Sequence, residues 1–196
     1  MLQLPDVTLI ALTNKDFDGH KRALDTSSQG IEWGDRKIIW DETIRSIDDW
    51  NYKIVFELFK YVKTEYAFLF HADGYVINPH LWNPQWLEYD YVGAPWPLPR
   101  DDYSYRDEDG NVIRVGNSVS LRSRSMLIAP HIHNLQAKWR AYYGNTNEDG
   151  FLCCHNRKYL ECMGMKYAPL DVAKHFSKEH TIPENEHLDT FAFHSL

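Results

Sequence analysis

The residues best placed to do chemistry are His71-Ala72-Asp73-Gly74, which directly follow the apolar run Tyr66-Ala67-Phe68-Leu69-Phe70. A carboxylate at the end of a buried strand suits a divalent cation, and a glycine beside it lets the chain bend and a ligand approach. The same Asp73-Gly74 pair also reads as an ordinary turn. Three familiar signatures are missing: Gly-x-Gly-x-x-Gly after the first strand, Gly-x-x-x-x-Gly-Lys-Ser/Thr, and the Gly-x-Ser-x-Gly elbow. A phosphorylated ligand would therefore need its charge offset in another way, in a chain whose own net charge is −7. A cation held by one or two carboxylates and sharing the phosphate oxygens does this.

Other reactive residues point less far. Cys153, Cys154 and Cys162 are an odd set with no Cys-x-x-Cys spacing. They read as reduced thiols, neither a disulfide scaffold nor a Cys153-Cys154-His155 zinc cluster. His131-x-His133 is the kind of pair a metal hydrolase uses, but it follows Pro130 and no complementary His or Asp pattern accompanies it.

The elements that must position Asp73 come next. Val7–Leu12 is β-branched and apolar without alternation, as in a strand buried on both faces. A helix follows through His20–Gln29 and stops at Gly30; Asp35–Trp40 is a second strand. Ile54, Val55, Leu58, Phe59 and Val62 recur at spacings of three and four, one apolar helix face, with Asp48 or Asp49 as its cap. Tyr66–Phe70 is then a central strand. Strand and helix alternating in this way predict an α/β fold with parallel neighbours, whose ligands bind beyond the carboxyl ends of the strands. That singles out Thr13-Asn14 and His71–Gly74. Beyond Gly74, prolines and turn signals break the chain into a loop-rich second half. It holds a charged loop or hairpin at Arg100–Arg114, a strand at Val119–Leu121 and helices at Lys138–Tyr143 and Arg157–Met163.

Composition narrows the class. With 196 residues, 43% hydrophobic and 25% charged, the chain has room for one domain with a real core and is not a disordered polymer. The acidic balance argues against nucleic-acid binding. No apolar stretch approaches the roughly 18 residues of a membrane span, and no signal peptide opens the sequence. With the reduced thiols, this predicts a cytoplasmic protein.

The segment Asn51–Val76 with Asn78-Pro79 resembles GT-A-fold glycosyltransferases, in which an amphipathic helix leads to an apolar strand ending in an Asp-x-Asp metal motif. Four further blocks look like a small, little-characterised branch of that superfamily. They are Gly93-Ala94-Pro95-Trp96, Gly116–Ser123, Glu148-Asp149-Gly150-Phe151 and Phe191-Ala192-Phe193-His194. Their order and spacing match over nearly the whole chain. The resemblance implies one GT-A-like domain over residues 1–196, with a Rossmann-like, mostly parallel sheet flanked by helices. Residues 1–76 would be the nucleotide-binding half and 77–196 the donor-sugar and acceptor half.

Carried over residue by residue, the resemblance makes Asp73 the last carboxylate of the metal motif, binding Mn2+ or Mg2+ on the donor diphosphate. His71 stands where the family has its first aspartate, and it contacts the metal, the nucleotide or the sugar. His194 matches a C-terminal histidine that completes the metal site, docked by Phe191 and Phe193. Ala11 and Thr13 match positions holding base and ribose, Asn51 and Lys53 match nucleotide contacts, and Ala72 lies inside the motif. Gly116 and Asn117 match a turn approaching the donor sugar, with Trp96 and Trp82 as stacking surfaces. Asp149 matches the general base of inverting members, where a carboxylate takes the proton of a poorly nucleophilic hydroxyl. The implied reaction moves a sugar from a nucleotide-sugar donor, with uridine diphosphate as carrier, to a glycan or other hydroxyl acceptor. The acceptor loops would be Pro97–Arg114 and His131–Asn147. The chain could also be one domain of a larger glycosyltransferase polypeptide. A domain that keeps this fold but only binds nucleotide sugar or carbohydrate is the alternative.

Overall fold

The computed structural model describes residues 1–141 and 147–195. Strands β1 (Leu2–Thr13), β2 (Ile31–Trp40), β3 (Tyr66–Leu69), β4 (Tyr91–Pro95) and β5 (Val115–Ser123) form one sheet in the order β2-β1-β3-β5-β4. β1 pairs in parallel with both β2 and β3, while β5 runs antiparallel to β3 and to β4. Only β5 is reversed. The result is a mixed α/β fold with a mostly parallel central sheet, compatible with the Rossmann-like expectation.

Position in the sheet explains the sequence pattern. β1 lies between two partners, and from Val7 to Thr13 it is buried without interruption. Leu9 and Ala11 point to one face, where they meet Phe68, Leu121, Trp86 and Phe191. Ile10 and Leu12 point to the other, against Ile54, Leu58, Val62 and Leu127. Helices α1 (Phe17–Ser27) and α2 (Ile47–Phe56) cover these two faces. Helix α3 (Arg124–Ile132) follows β5 and packs beside α2.

Several local expectations change. β1 and β2 each begin earlier than predicted. The apolar face of α2 continues into a 3-10 turn at Leu58–Tyr61 rather than forming one long helix. Its cap is Ser46, whose hydroxyl accepts from Asp49 N–H at 3.1 Å; Asp49 instead accepts from Arg45 N–H at 2.9 Å. A hydroxyl in extended backbone just before the first turn reaches the free N–H groups better than a carboxylate already inside it. Of the helix expected at Lys138–Tyr143, Lys138–Ala141 belong to the 3-10 helix Leu135–Ala141, and its last two residues, with the rest of 142–146 in the expected acceptor loop, lie outside the described residues. Short helices α4 (Glu148–Gly150), α5 (Arg157–Cys162) and α6 (Leu170–Ala173) follow. Between α4 and α5, Phe151–His155 winds as one π-helical turn that buries Cys153 and Cys154.

The chain then returns to the sheet. Strands β6 (Ser177–Lys178) and β7 (Ala192–Phe193) pair in parallel, and Ala192 bridges to Val76 just past β3. Phe191 and Ala192 are fully buried, so the expected docking of this segment is present. Among the described residues, no helix is long and apolar enough to cross a membrane.

Candidate active site

β1 and β3 run in the same direction, so their carboxyl ends open at one edge of the sheet. A cavity of about 710 Å³ lies there. Its walls include Thr13–Asp16 after β1, His71–Asp73 after β3, Trp50 of α2, Ser118 of β5 and His194. Trp50 seals one side, its indole N–H donating to Leu12 O at 2.7 Å.

His71 and Gly74 exchange backbone hydrogen bonds of 2.7 and 3.3 Å, which lifts Ala72 and Asp73 onto the tip of a tight turn. The Asp73-Gly74 turn is thus what carries the Asp73 side chain to the cavity. Gly74 is there for packing. A Cβ on it would come within 2.5 Å of Val119 and 2.7 Å of the His194 ring. The space beside Gly74 is taken by Val119 of β5 and by the returning chain at Phe193 and His194.

Asp73 and His194 meet at this turn, Oδ1 to Nε2, at 3.8 Å. The second Asp73 oxygen accepts from the Ser195 hydroxyl at 2.9 Å. Burial pushes Asp73 up, but the Ser195 hydrogen bond and His194 outweigh it and hold the carboxyl below its ordinary value. On its other side His194 faces Glu179, Nδ1 to Oε1, at 3.5 Å. Burial disfavours its charge, yet Glu179 and Asp73 together raise its pKa. The His71 ring lies over His194 with centroids 5.2 Å apart and touches Trp50 at 5.4 Å. Burial and the neighbouring His194 lower its pKa to about 3, so His71 is neutral at physiological pH. Its Nε2 is buried with no hydrogen-bond partner among the described residues.

Thr13, His71, Ala72, Asp73 and His194 therefore share one cavity. The other expected contacts do not line it. Ala11 is wholly buried in the core below. Lys53 is held by Asp41 at 2.7 Å and by Glu57, an ion-pair network that occupies its ammonium group. Asn51 is 2% exposed and clasps two elements, its Oδ1 accepting from Glu148 N–H at 3.1 Å. The space beside Gly116 is filled by the Trp96 indole, 2.0 Å from where a Cβ would stand. Trp96 itself is 4% exposed and stacked on Tyr105, so it offers no free face to a sugar. Trp82 packs edge-on against Trp86 and Phe191. Asn117 is buried with φ +82°, and its Oδ1 accepts from Val119 N–H at 2.8 Å.

Asp149 also stands outside the cavity wall, on the first turn after Asn147. It is not the N-cap of that turn. Burial and the adjacent Glu148 push its carboxyl up to about 7, near the range in which a general base works well. Below it lies a buried ion pair, Arg122 to Glu148 at 2.7 Å, both about 0–1% exposed. His131 and His133 do not form a site, since His131 packs on Phe59 and His133 on Tyr159.

The sequence did not single out Lys15, Arg45, Trp50 or Glu179. Lys15 and Arg45 are exposed at the cavity, and neither is ion-paired among the described residues. No local signal marks them; only the closing of the sheet brings them together. Among the described residues, no group of three or more His, Cys, Asp or Glu could hold a metal ion. Asp73 and His194 make a set of two donors.

The fold and this cavity define an α/β protein with a pocket at the carboxyl ends of its parallel strands. A family model described as "Protein of unknown function (DUF5672)" matches residues 39–194, and the chain belongs to that family. No curated protein and no solved structure matches the chain.

Proposed function

We propose that this chain is a nucleotide-sugar-dependent glycosyltransferase of the GT-A type, metal-assisted and inverting. It would move a sugar from a nucleoside diphosphate, uridine diphosphate by resemblance, to a hydroxyl acceptor. One observation carries the reading: Asp73 and His194, from distant parts of the chain, meet at 3.8 Å in the cavity where such a fold binds ligands.

The donor set fits Mn2+ or Mg2+. A hard carboxylate and an imidazole would leave most of the coordination shell to phosphate oxygens and water. When bound, the cation would neutralise charge on the departing diphosphate. The chain's own residues supply the rest. Lys15 and Arg45, with no ion-pair partner among the described residues, offer positive charge to phosphate in place of Lys53. Neutral His71 presents an unpartnered nitrogen to the nucleotide or sugar. By resemblance Asp149, outside the cavity wall but close enough to Glu179 and His194 to interact with them electrostatically, takes the acceptor proton from beside the cavity as the acceptor oxygen bonds to the sugar's anomeric carbon and the carbon–phosphate-oxygen bond breaks. The electron pair leaves with the nucleoside diphosphate.

Thermal-shift measurements against nucleoside diphosphates, with and without Mn2+, test this. Ligands that bind only the folded state raise the melting temperature. Uridine diphosphate with Mn2+ should give a rise whose metal-dependent part is lost in Asp73→Ala. Asp149→Asn should keep the rise and stop transfer. A manganese effect unchanged by Asp73→Ala would overturn the metal assignment, and transfer at the parental rate by Asp149→Asn the base.

A further inference from the structure

Glu179 has no place in the reading so far, yet the fold delivers it to the back of His194. β6 and β7 pair in parallel with Lys178 opposite Phe193, so Glu179 and His194 are the next residues of two adjacent strands. The His194 backbone N–H donates to Lys178 O at 2.9 Å, which extends the register past the strands. The His194 ring is confined on two further sides, by the His71 ring and by Gly74, where even one methyl group would strike it. Among the described residues its buried Nδ1 has no hydrogen-bond partner at ordinary geometry, and the Glu179 carboxylate faces it at 3.5 Å. The Asn117 side chain lies on the same carboxylate and, with His194, favours its charged form.

We propose that Glu179 is the positioning residue of this site: it takes the Nδ1 proton of His194 in a hydrogen bond and so fixes Nε2, lone pair outward, toward Asp73. The inference rests on the metal-assisted reading and adds a residue to it. An imidazole that binds a cation through one nitrogen needs its other N–H held by an acceptor, which sets both tautomer and ring orientation. Here the two nitrogens face two carboxylates of unlike exposure. The Glu179 side chain is 23% exposed and Asp73 69%, so a cation arriving from solvent meets Asp73 and Nε2 first. Glu179 stays behind the ring. A flip of the imidazole would turn a carbon toward Glu179 and withdraw the nitrogen from Asp73.

Two readouts, neither of them turnover, test the assignment. In metal-free protein at mildly alkaline pH, nitrogen-15 correlation spectra should show His194 protonated on Nδ1. In Glu179→Ala the Nε2-protonated form should gain the majority. Electron paramagnetic resonance titration of Mn2+ with uridine diphosphate present should show affinity weakened by about 10- to 100-fold in Glu179→Ala. Glu179→Asp, which keeps the charge, should recover part of it. Should the alanine variant not fold, isosteric Glu179→Gln carries the test, since its amide presents either a donor or an acceptor to Nδ1 and loosens the tautomer. Unchanged tautomer and unchanged Mn2+ affinity in variants that fold would overturn the role of Glu179. If Asp73→Ala also binds Mn2+ like the parent, the metal-assisted reading itself fails, so the two failures are told apart.

Discussion

His194 Nε2 stands 3.8 Å from Asp73 Oδ1, and Ser195 fastens the pair by donating its backbone N–H to Asp73 O at 2.8 Å. Ser195 and Asp73 are 122 residues apart in sequence, so the site exists only once the last strand has docked. If the two side chains share one cation, their contributions to its binding must depend on each other. A double-mutant cycle with Asp73→Asn and His194→Gln, read as Mn2+ affinity with uridine diphosphate, should show coupling of about 1 kcal/mol or more. Effects that add within about 0.5 kcal/mol would mean that the residues act separately.

Gly74 gives a test of the same junction from the packing side. An alanine there places its methyl group against Val119, the His194 ring and Phe193 O, the last at 3.1 Å. Two of these neighbours belong to the docked terminal segment, so relief comes by pushing His194 away from Asp73. Gly74→Ala should cost about 1–3 kcal/mol in a urea melt, as overpacking does, and should weaken Mn2+ binding as well. Lost stability with intact metal affinity would show that the segment yields elsewhere.

The buried Arg122–Glu148 pair ties the sheet to the turn that carries Asp149. Arg122 also donates to Ser120 Oγ at 2.9 Å, and its guanidinium sits over the Tyr91 ring, whose hydroxyl donates to Asn117 O at 2.6 Å. Removing one partner leaves the other charge buried. Arg122→Met alone should therefore cost about 3–5 kcal/mol, while Arg122→Met with Glu148→Met should recover most of it. Equilibrium denaturation checks both. A mild single variant would mean that water reaches the pair.

How much of this was legible in the residues follows from the range of each interaction. The β1–α2–β3 core was readable because burial on both faces of an inner strand leaves an unbroken apolar run, and a helix face leaves its period. Asp73 was readable as a lone carboxylate between a buried strand and a glycine. His194 was reached only by resemblance, supported by the flanking phenylalanines. Trp96 and Gly116 each look like a ligand contact alone, while in the fold each fills the other's space. Lys15, Arg45 and Glu179 carry no local mark, since surface charge types are common and only tertiary closure gives them a position.

Lys53 separates a structural from a ligand-binding role. Its ammonium group pairs with Asp41, and Asp41 N–H in turn donates to Thr13 O at 3.0 Å, so the pair braces the end of β1 under the cavity. The Lys53 and Thr43 hydrogen bonds lower the Asp41 pKa to about 2 from the ordinary 3.8. A carboxylate with a depressed folded-state pKa adds stability above its unfolded pKa, and that stability is lost as the pH falls through the folded value. The window here runs from 3.8 down to about 2. Lys53→Met should thus lower stability at neutral pH by about 1 kcal/mol, allowing for solvent screening, and the gap from the parent should close as the pH drops below 3.8. The thermal shift with uridine diphosphate should stay at the parental size, because the ammonium group is engaged by Asp41 and Glu57 away from the cavity wall. A nucleotide shift lost in Lys53→Met, with stability unchanged, would return Lys53 to the ligand.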